Sequence, residues 1–374
     1  MSAKRKNILY YGLLLAVFII SFFLIKNKPI TAVNYKTMAV PPPPPPAEKI
    51  KTPKYVRGIY LTAYSAGNDT FRKNIIARIE SGRINTVVVD IKDYSGYVLY
   101  DSQLSQLKKI KATKKQLADV RQVIDDFHKA RIYVIARQTV FQDPMLAEAR
   151  PELAFHNDSG ALWRDRKGLG WIDPSKHEVW QYNLDIAKEA ARLGFDEINF
   201  DYMRYPSDGD LGQLNYNLPE GQTKSEVMKN FYKFMSDNLS EKTPISIDMF
   251  GLVMDNANNN NYDLGIGQKL VNATDYFDYI CPMMYPSHYA DNYLGLANPA
   301  DYPAEVIRYG IATSAPAWAD KRATLRPWLQ AFSIGAVYDE IKIEAQIKET
   351  ENASTTGWLL WNARNVYADF IFTK

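Results

Sequence analysis

From Val56 onward, short runs of β-branched and aromatic residues alternate with longer amphipathic stretches. Such a switch between a two-residue and a 3.6-residue period marks repeated strand–helix units. Eight runs read as strands: Val56 to Leu61, Thr86 to Ile91, Ile132 to Ala136, Glu197 to Tyr202, Ile245 to Phe250, Tyr279 to Met284, Arg326 to Phe332 and Gly357 to Trp361. Helical periodicity covers Phe71 to Ser81, Lys115 to Lys129, Lys176 to Leu193, Ser225 to Leu239 and Tyr338 to Glu349. Repeats of this kind over about 320 residues predict an α/β chain folded as a (β/α)8 TIM barrel with long loops. A doubly wound open sheet is the rival architecture, but no Gly-x-Gly-x-x-Gly turn follows the first run.

Polar residues fall late in these runs. Asp90 and Lys92 close the second, Arg137 follows the third, Asp201 and Asp248 lie in the fourth and fifth, and Gln330 in the seventh. In a closed parallel barrel all those ends converge on one face, where active sites sit.

Ahead of the repeats the pattern changes. Lys4, Arg5 and Lys6 precede an uncharged apolar run from Ile8 to Ile25, long enough at about 1.5 Å per residue to nearly span a hydrocarbon core. The sequence predicts a transmembrane signal anchor with a cytoplasmic N-terminus and everything after Lys26 extracytoplasmic. A cleaved signal peptide is the alternative, although no clear small-x-small site follows the run. Pro41 to Pro46 form a polyproline stretch, read as an extended spacer. The expected organisation is a basic tip and anchor over residues 1–28, a Pro-rich linker over 29–53 and a barrel over 54–374.

In the fourth run, Glu197-Ile198-Asn199-Phe200-Asp201-Tyr202-Met203-Arg204, alternation turns Asn199, Asp201 and Met203 to one side. Asp201 becomes an inward carboxylate at the rim. Either it pairs with Arg204 or another rim base as a fixed ion pair, or it does chemistry. Glycoside hydrolysis usually needs two carboxyl groups flanking the scissile bond, and Asp248 on the neighbouring strand is the first candidate partner, with Asp90 the second. Lys92, Asp93, Arg137, Arg204, Tyr285, His288 and Gln330 are the rim groups expected to hold sugar hydroxyls. Trp328, Trp358 and Trp361 are candidate stacking platforms, with Trp361 the preferred one.

Composition narrows the alternatives. A formal net charge of +3 from 45 bases and 42 acids gives no electrostatic case for a nucleic-acid partner. The single cysteine, Cys281, rules out an intrachain disulfide and a multi-cysteine metal site. Four histidines, at 128, 156, 177 and 288, lack ligand spacing, and the Asn-rich stretch Asn256 to Asn261 lacks the spaced acids of a calcium loop. No metal and no cofactor is expected. Neither a Gly-x-Ser-x-Gly elbow nor a P-loop is present.

Five segments carry a resemblance: Val56 to Thr62, Val89 to Asp93, Gly194 to Pro206, Pro282 to Tyr289 and Arg326 to Gln330. Together they resemble a glycoside hydrolase-like barrel family catalogued as a domain of unknown function, in a likeness that runs from Tyr55 to the C-terminus. The resemblance implies a TIM barrel, a polysaccharide or oligosaccharide substrate, and a role for Asp201 and Asp248. The fourth-strand segment is also distantly similar to the chitinase motif ending Asp-x-Glu-Tyr-Pro. Here it reads Asp201-Tyr202-Met203-Arg204-Tyr205-Pro206, without the proton-donating glutamate, so the acid would have to come from another strand. A non-catalytic sugar-binding or wall-organising barrel would need no such acid.

Overall fold

The computed structural model describes residues 49–239, 243–259 and 261–373. The expected anchor and polyproline stretch lie outside these residues. Among the described residues, no helix is long and apolar enough to cross a membrane.

Eight parallel strands close on themselves: β1 (Val56–Leu61), β2 (Thr86–Lys92), β3 (Tyr133–Thr139), β4 (Glu197–Asp201), β5 (Ile245–Phe250), β6 (Tyr279–Met284), β7 (Trp328–Gln330) and β8 (Gly357–Trp361). Closure is made by β1, which pairs with β2 through Gly58↔Thr86 and with β8 through Val56↔Gly357. Six longer helices cover the outside: α1 (Asp69–Glu80), α2 (Val120–Lys129), α3 (His177–Leu193), α4 (Lys224–Leu239), α5 (Pro303–Ser314) and α6 (Glu340–Glu351). Between β5 and β6 the helix shrinks to Leu270–Ala273.

Side-chain alternation divides the core into two layers. Val87, Val89 and Ile91 of β2 join the large cluster between barrel and helices, whereas Val88 joins Tyr133, Ile135, Cys281, Trp328 and Leu359 inside the barrel. Burial pushes the Cys281 thiol pKa up to about 12, so it packs as a small apolar group.

Three local features depart from the sequence reading. The expected helix from Lys115 begins only at Val120, because Asp119 caps it by accepting a hydrogen bond from the Gln122 amide (3.0 Å) while Thr113–Leu117 forms an extra strand. The seventh strand is broken at Pro327, which has no N–H to donate, leaving Thr324–Leu325 and Trp328–Gln330 as separate pieces. α5 went unpredicted; Pro303 at its first turn is the signal that marks its start.

At the floor, where the strands begin, residues 49–52 are tied to the barrel. Ile50 N donates to Asp196 Oδ1 (2.7 Å), Lys49 Nζ to Thr243 Oγ1 (2.9 Å), and Thr52 Oγ1 meets the Tyr133 hydroxyl (3.1 Å). Above this plug a fully buried Glu197–Arg326 ion pair crosses the interior, with Glu197 also accepting from Ser246 Oγ (2.6 Å) and the Tyr133 hydroxyl (3.2 Å). The barrel is therefore filled from below, and the opposite rim is the open end.

Candidate active site

Four consecutive strands each bring one charged side chain to the rim: Asp90 from β2, Arg137 from β3, Asp201 from β4 and Asp248 from β5. Asp90 and Arg137 are directly opposite in the β2–β3 register, and Asp201 pairs with Thr139, two residues beyond Arg137. One guanidinium serves all three acids. Arg137 Nη1 donates to Asp90 Oδ1 (2.6 Å), Nη2 to Asp201 Oδ2, and Nε lies 3.6 Å from Asp248 Oδ2, beyond hydrogen-bonding reach.

The remaining carboxylate oxygens are also held. Asp90 Oδ2 accepts from the Tyr60 hydroxyl (2.5 Å), and Asp201 Oδ1 accepts from the Tyr202 amide (2.6 Å). Asp248 Oδ1 accepts from both Asn199 Nδ2 (2.8 Å) and Trp328 Nε1 (2.7 Å). Each carboxyl is thus fixed in direction, as reacting groups must be. Their protonation differs. Burial, reinforced by the charge of Asp201, pushes the Asp248 pKa up to about 8 despite Arg137. Asp90 is raised by burial and drawn back by Arg137 and Tyr60. At neutral pH the cluster therefore holds a protonated Asp248 beside the ion-paired Asp201. Among the described residues no group of three or more His, Cys, Asp or Glu side chains has metal-site geometry; the space between the three acids is filled by the guanidinium.

Two cavities open on this cluster. One of about 370 Å³ is lined by Asp201, Tyr202, Arg204, Tyr285, His288 and Tyr289. The other, of about 390 Å³, is lined by Tyr60, Asp90, Asp93, Arg137, Tyr202 and Trp361. Asp248 faces neither directly and is 1% exposed. Tyr202, the residue after β4, is in a left-handed conformation (φ 55°) and stands between the two spaces. A tyrosine held there carries about 1–3 kcal/mol of backbone strain. This kink also takes Met203 out of the alternation, into the cluster between barrel and helices.

Most rim residues named from the sequence reach one of these cavities. Asp93 turns its Oδ1 onto the Ser95 amide (3.0 Å) at the edge of the second. Arg204 does not pair with Asp201. Its guanidinium lies over the Phe250, Tyr202 and Trp171 rings (4.7, 4.9 and 5.1 Å) and donates to Tyr205 O and Ser207 Oγ (both 3.1 Å). Tyr285 and His288 pack edge to face (5.3 Å) in the first cavity. Trp361 stacks on Tyr60 at 3.9 Å and lies under Arg137 at 4.9 Å, so part of its surface is used within the wall.

Two expected rim residues are placed elsewhere. Lys92 lines neither cavity: a bulge between Asp90 and Lys92 breaks the alternation. Its ammonium, fully buried, pairs with Asp143 (2.9 Å) and Thr139 O (2.8 Å). Gln330, also fully buried, ties loops together by accepting from Ser287 N (3.1 Å) and donating to Phe332 O (2.9 Å). Of the other tryptophans, Trp358 packs outside the barrel, and Trp328 serves Asp248 through its indole N–H rather than as a platform. Tyr60 and Tyr202 went unread from the sequence; the inward parity of Tyr60 on β1 is the signal that finds it.

A family model described as "Putative glycosyl hydrolase domain" matches residues 58–367. No curated protein sequence matches the chain. Among solved structures, a hypothetical protein from Ruminiclostridium thermocellum ATCC 27405 is 37% identical, over 51% of this chain and 96% of its own, with a TM-score of 0.48. The glycoside hydrolase domain of PgaB (BpsB) from Bordetella bronchiseptica is 12% identical over 82% of this chain and 94% of its own, TM-score 0.61. The α-galactosidase TtGalA from Thermus thermophilus is 10% identical over 86% and 61%, TM-score 0.51. At such identities the last two share the barrel fold.

Proposed function

The chain belongs to the glycosyl hydrolase domain family matched over residues 58–367, and on that premise we propose that it hydrolyses a cell-wall or exopolysaccharide glycan outside the cytoplasm. The single observation that carries this reading is the coupling of two unlike carboxyl groups: Asp201, ion-paired and facing a cavity, and Asp248, held protonated up to about pH 8. Glycoside hydrolysis needs one carboxylate to attack or to activate water and one acid to protonate the leaving oxygen. Environments that push two carboxyls apart supply both at one pH.

In this reading Asp201 is the nucleophile or base and Asp248 the proton store. Asp90, fixed by Tyr60, balances the charge of Arg137 and lines the second space. Arg204, Asp93, Tyr285, His288 and Trp361 supply donors, acceptors and ring faces for sugar hydroxyls and rings. The apolar run Ile8 to Ile25 behind its basic cluster supports a single-pass anchor that leaves the barrel extracytoplasmic.

A second reading is favoured by one observation: Asp248 opens onto neither cavity, as a non-catalytic sugar-binding barrel would allow. The two separate on a reducing-end assay with cell-envelope polysaccharide across pH 4 to 9. New reducing ends support the hydrolase. Retention of the glycan with no new ends at any pH replaces it with the binding barrel.

A further inference from the structure

We infer that the substrate is cut within its chain: a polymer lies across both cavities, with the scissile linkage over the Asp201–Arg137 ion pair. This rests on the hydrolase reading and goes beyond it, because it fixes the mode of attack.

Tyr202 lines both spaces and stands between them. Asp201 belongs to the wall of the first and Arg137 to the wall of the second, and the two side chains are bonded to each other. The ion pair therefore has a space on each side of it, one against the carboxylate and one against the guanidinium. A site that trims single sugars from a chain end needs the opposite arrangement, a blind pocket on one side that admits only a terminal residue. At about 370 and 390 Å³ each space is within the usual range for a small-molecule site, roughly 300–1,000 Å³, so neither side is a vestige.

The walls extend the path. Tyr64 and Tyr94, 71% and 55% exposed, stand in the wall of the second cavity, where ring faces can carry sugars. In the wall of the first, Leu252 is 39% exposed. Large side chains left partly in water in the walls of both spaces are the expected trace of a ligand longer than the reacting pair of sugars.

The test follows product size with time when the full chain acts on cell-envelope polysaccharide of its own organism. Internal cleavage yields mixed lengths from the first time points, and mean chain length collapses before monosaccharide accumulates. Monosaccharide as the sole early product overturns the inference and leaves the hydrolase reading standing. Absence of any new reducing end removes both. As an independent arm, Tyr94→Ala takes away an exposed ring with the melting temperature unchanged. It is expected to raise KM on the polymer about three- to tenfold, the scale of one aromatic contact; an unaltered KM removes the second cavity from the path.

Discussion

Arg137 is where the site's electrostatics are decided. It is 7% exposed and faces Asp90, Asp201 and Asp248 at once. Arg137→Ala leaves the buried Asp90 and Asp201 without their counter-charge, a change that costs about 3–5 kcal/mol. Loss of the guanidinium leaves burial to raise the folded-state pKa of Asp90 further, so the variant is most stable when that carboxyl is protonated. Its melting temperature is predicted to fall at pH 7 and to recover toward that of the parent as pH drops through 5, as thermal scans over pH would read. Asp248 gives a second prediction. A proton donor with a pKa of about 8 is competent below that pH, so kcat/KM declines as pH rises through about 8. A rate that stays flat to pH 10 would separate Asp248 from the acid role. The three acids were legible in the sequence because they fall late in their strands, and at Asp201 alternation adds the inward direction. Arg137 was legible as a rim group but not as their shared partner, since nothing in the sequence distinguishes a ligand of sugar from a clamp on carboxylates. Lys92 misled for a local reason: one bulge after Asp90 reverses its side.

Among the elements, strands were the most readable, because each is a short apolar run whose burial on both faces follows from barrel closure. Where a single residue dictates an interruption, the periodic pattern misses it, as at Asp119 and Pro327. The floor shows how much one polar side chain can join. Asp196, at the start of β4, accepts from Ile50 N (2.7 Å), Val134 N (2.8 Å) and His128 Nε2 (2.9 Å). Asp196→Ala strands these donors in a site 2% exposed and is expected to cost about 2–4 kcal/mol. Denaturant unfolding checks this, with a fall in midpoint and unchanged slope; the sugar-facing rim, at the other end of β4, should keep its KM.

At the scale of the molecule, the barrel is plugged at one end and open at the other. The plug includes residues 49–52, upstream of the first strand, so the stable unit extends beyond the strands themselves. A chain starting at residue 54 is predicted to be less stable than one starting at 49, by about 2–3 kcal/mol of lost hydrogen bonding and Ile50 burial, read as a lower melting temperature. Equal melting of the two would show the plug to be dispensable. Eight strands and their order were readable from Val56 onward; the cavities were not, because strand ends share their walls with loops whose paths no periodicity records. The most direct test of the account is the rate of reducing-end release from cell-envelope polysaccharide by the parent and by Asp201→Asn, which keeps the shape of the side chain and removes its charge. The account predicts a fall of at least about a thousandfold at an unchanged fold, in line with loss of a catalytic group; equal rates would contradict it.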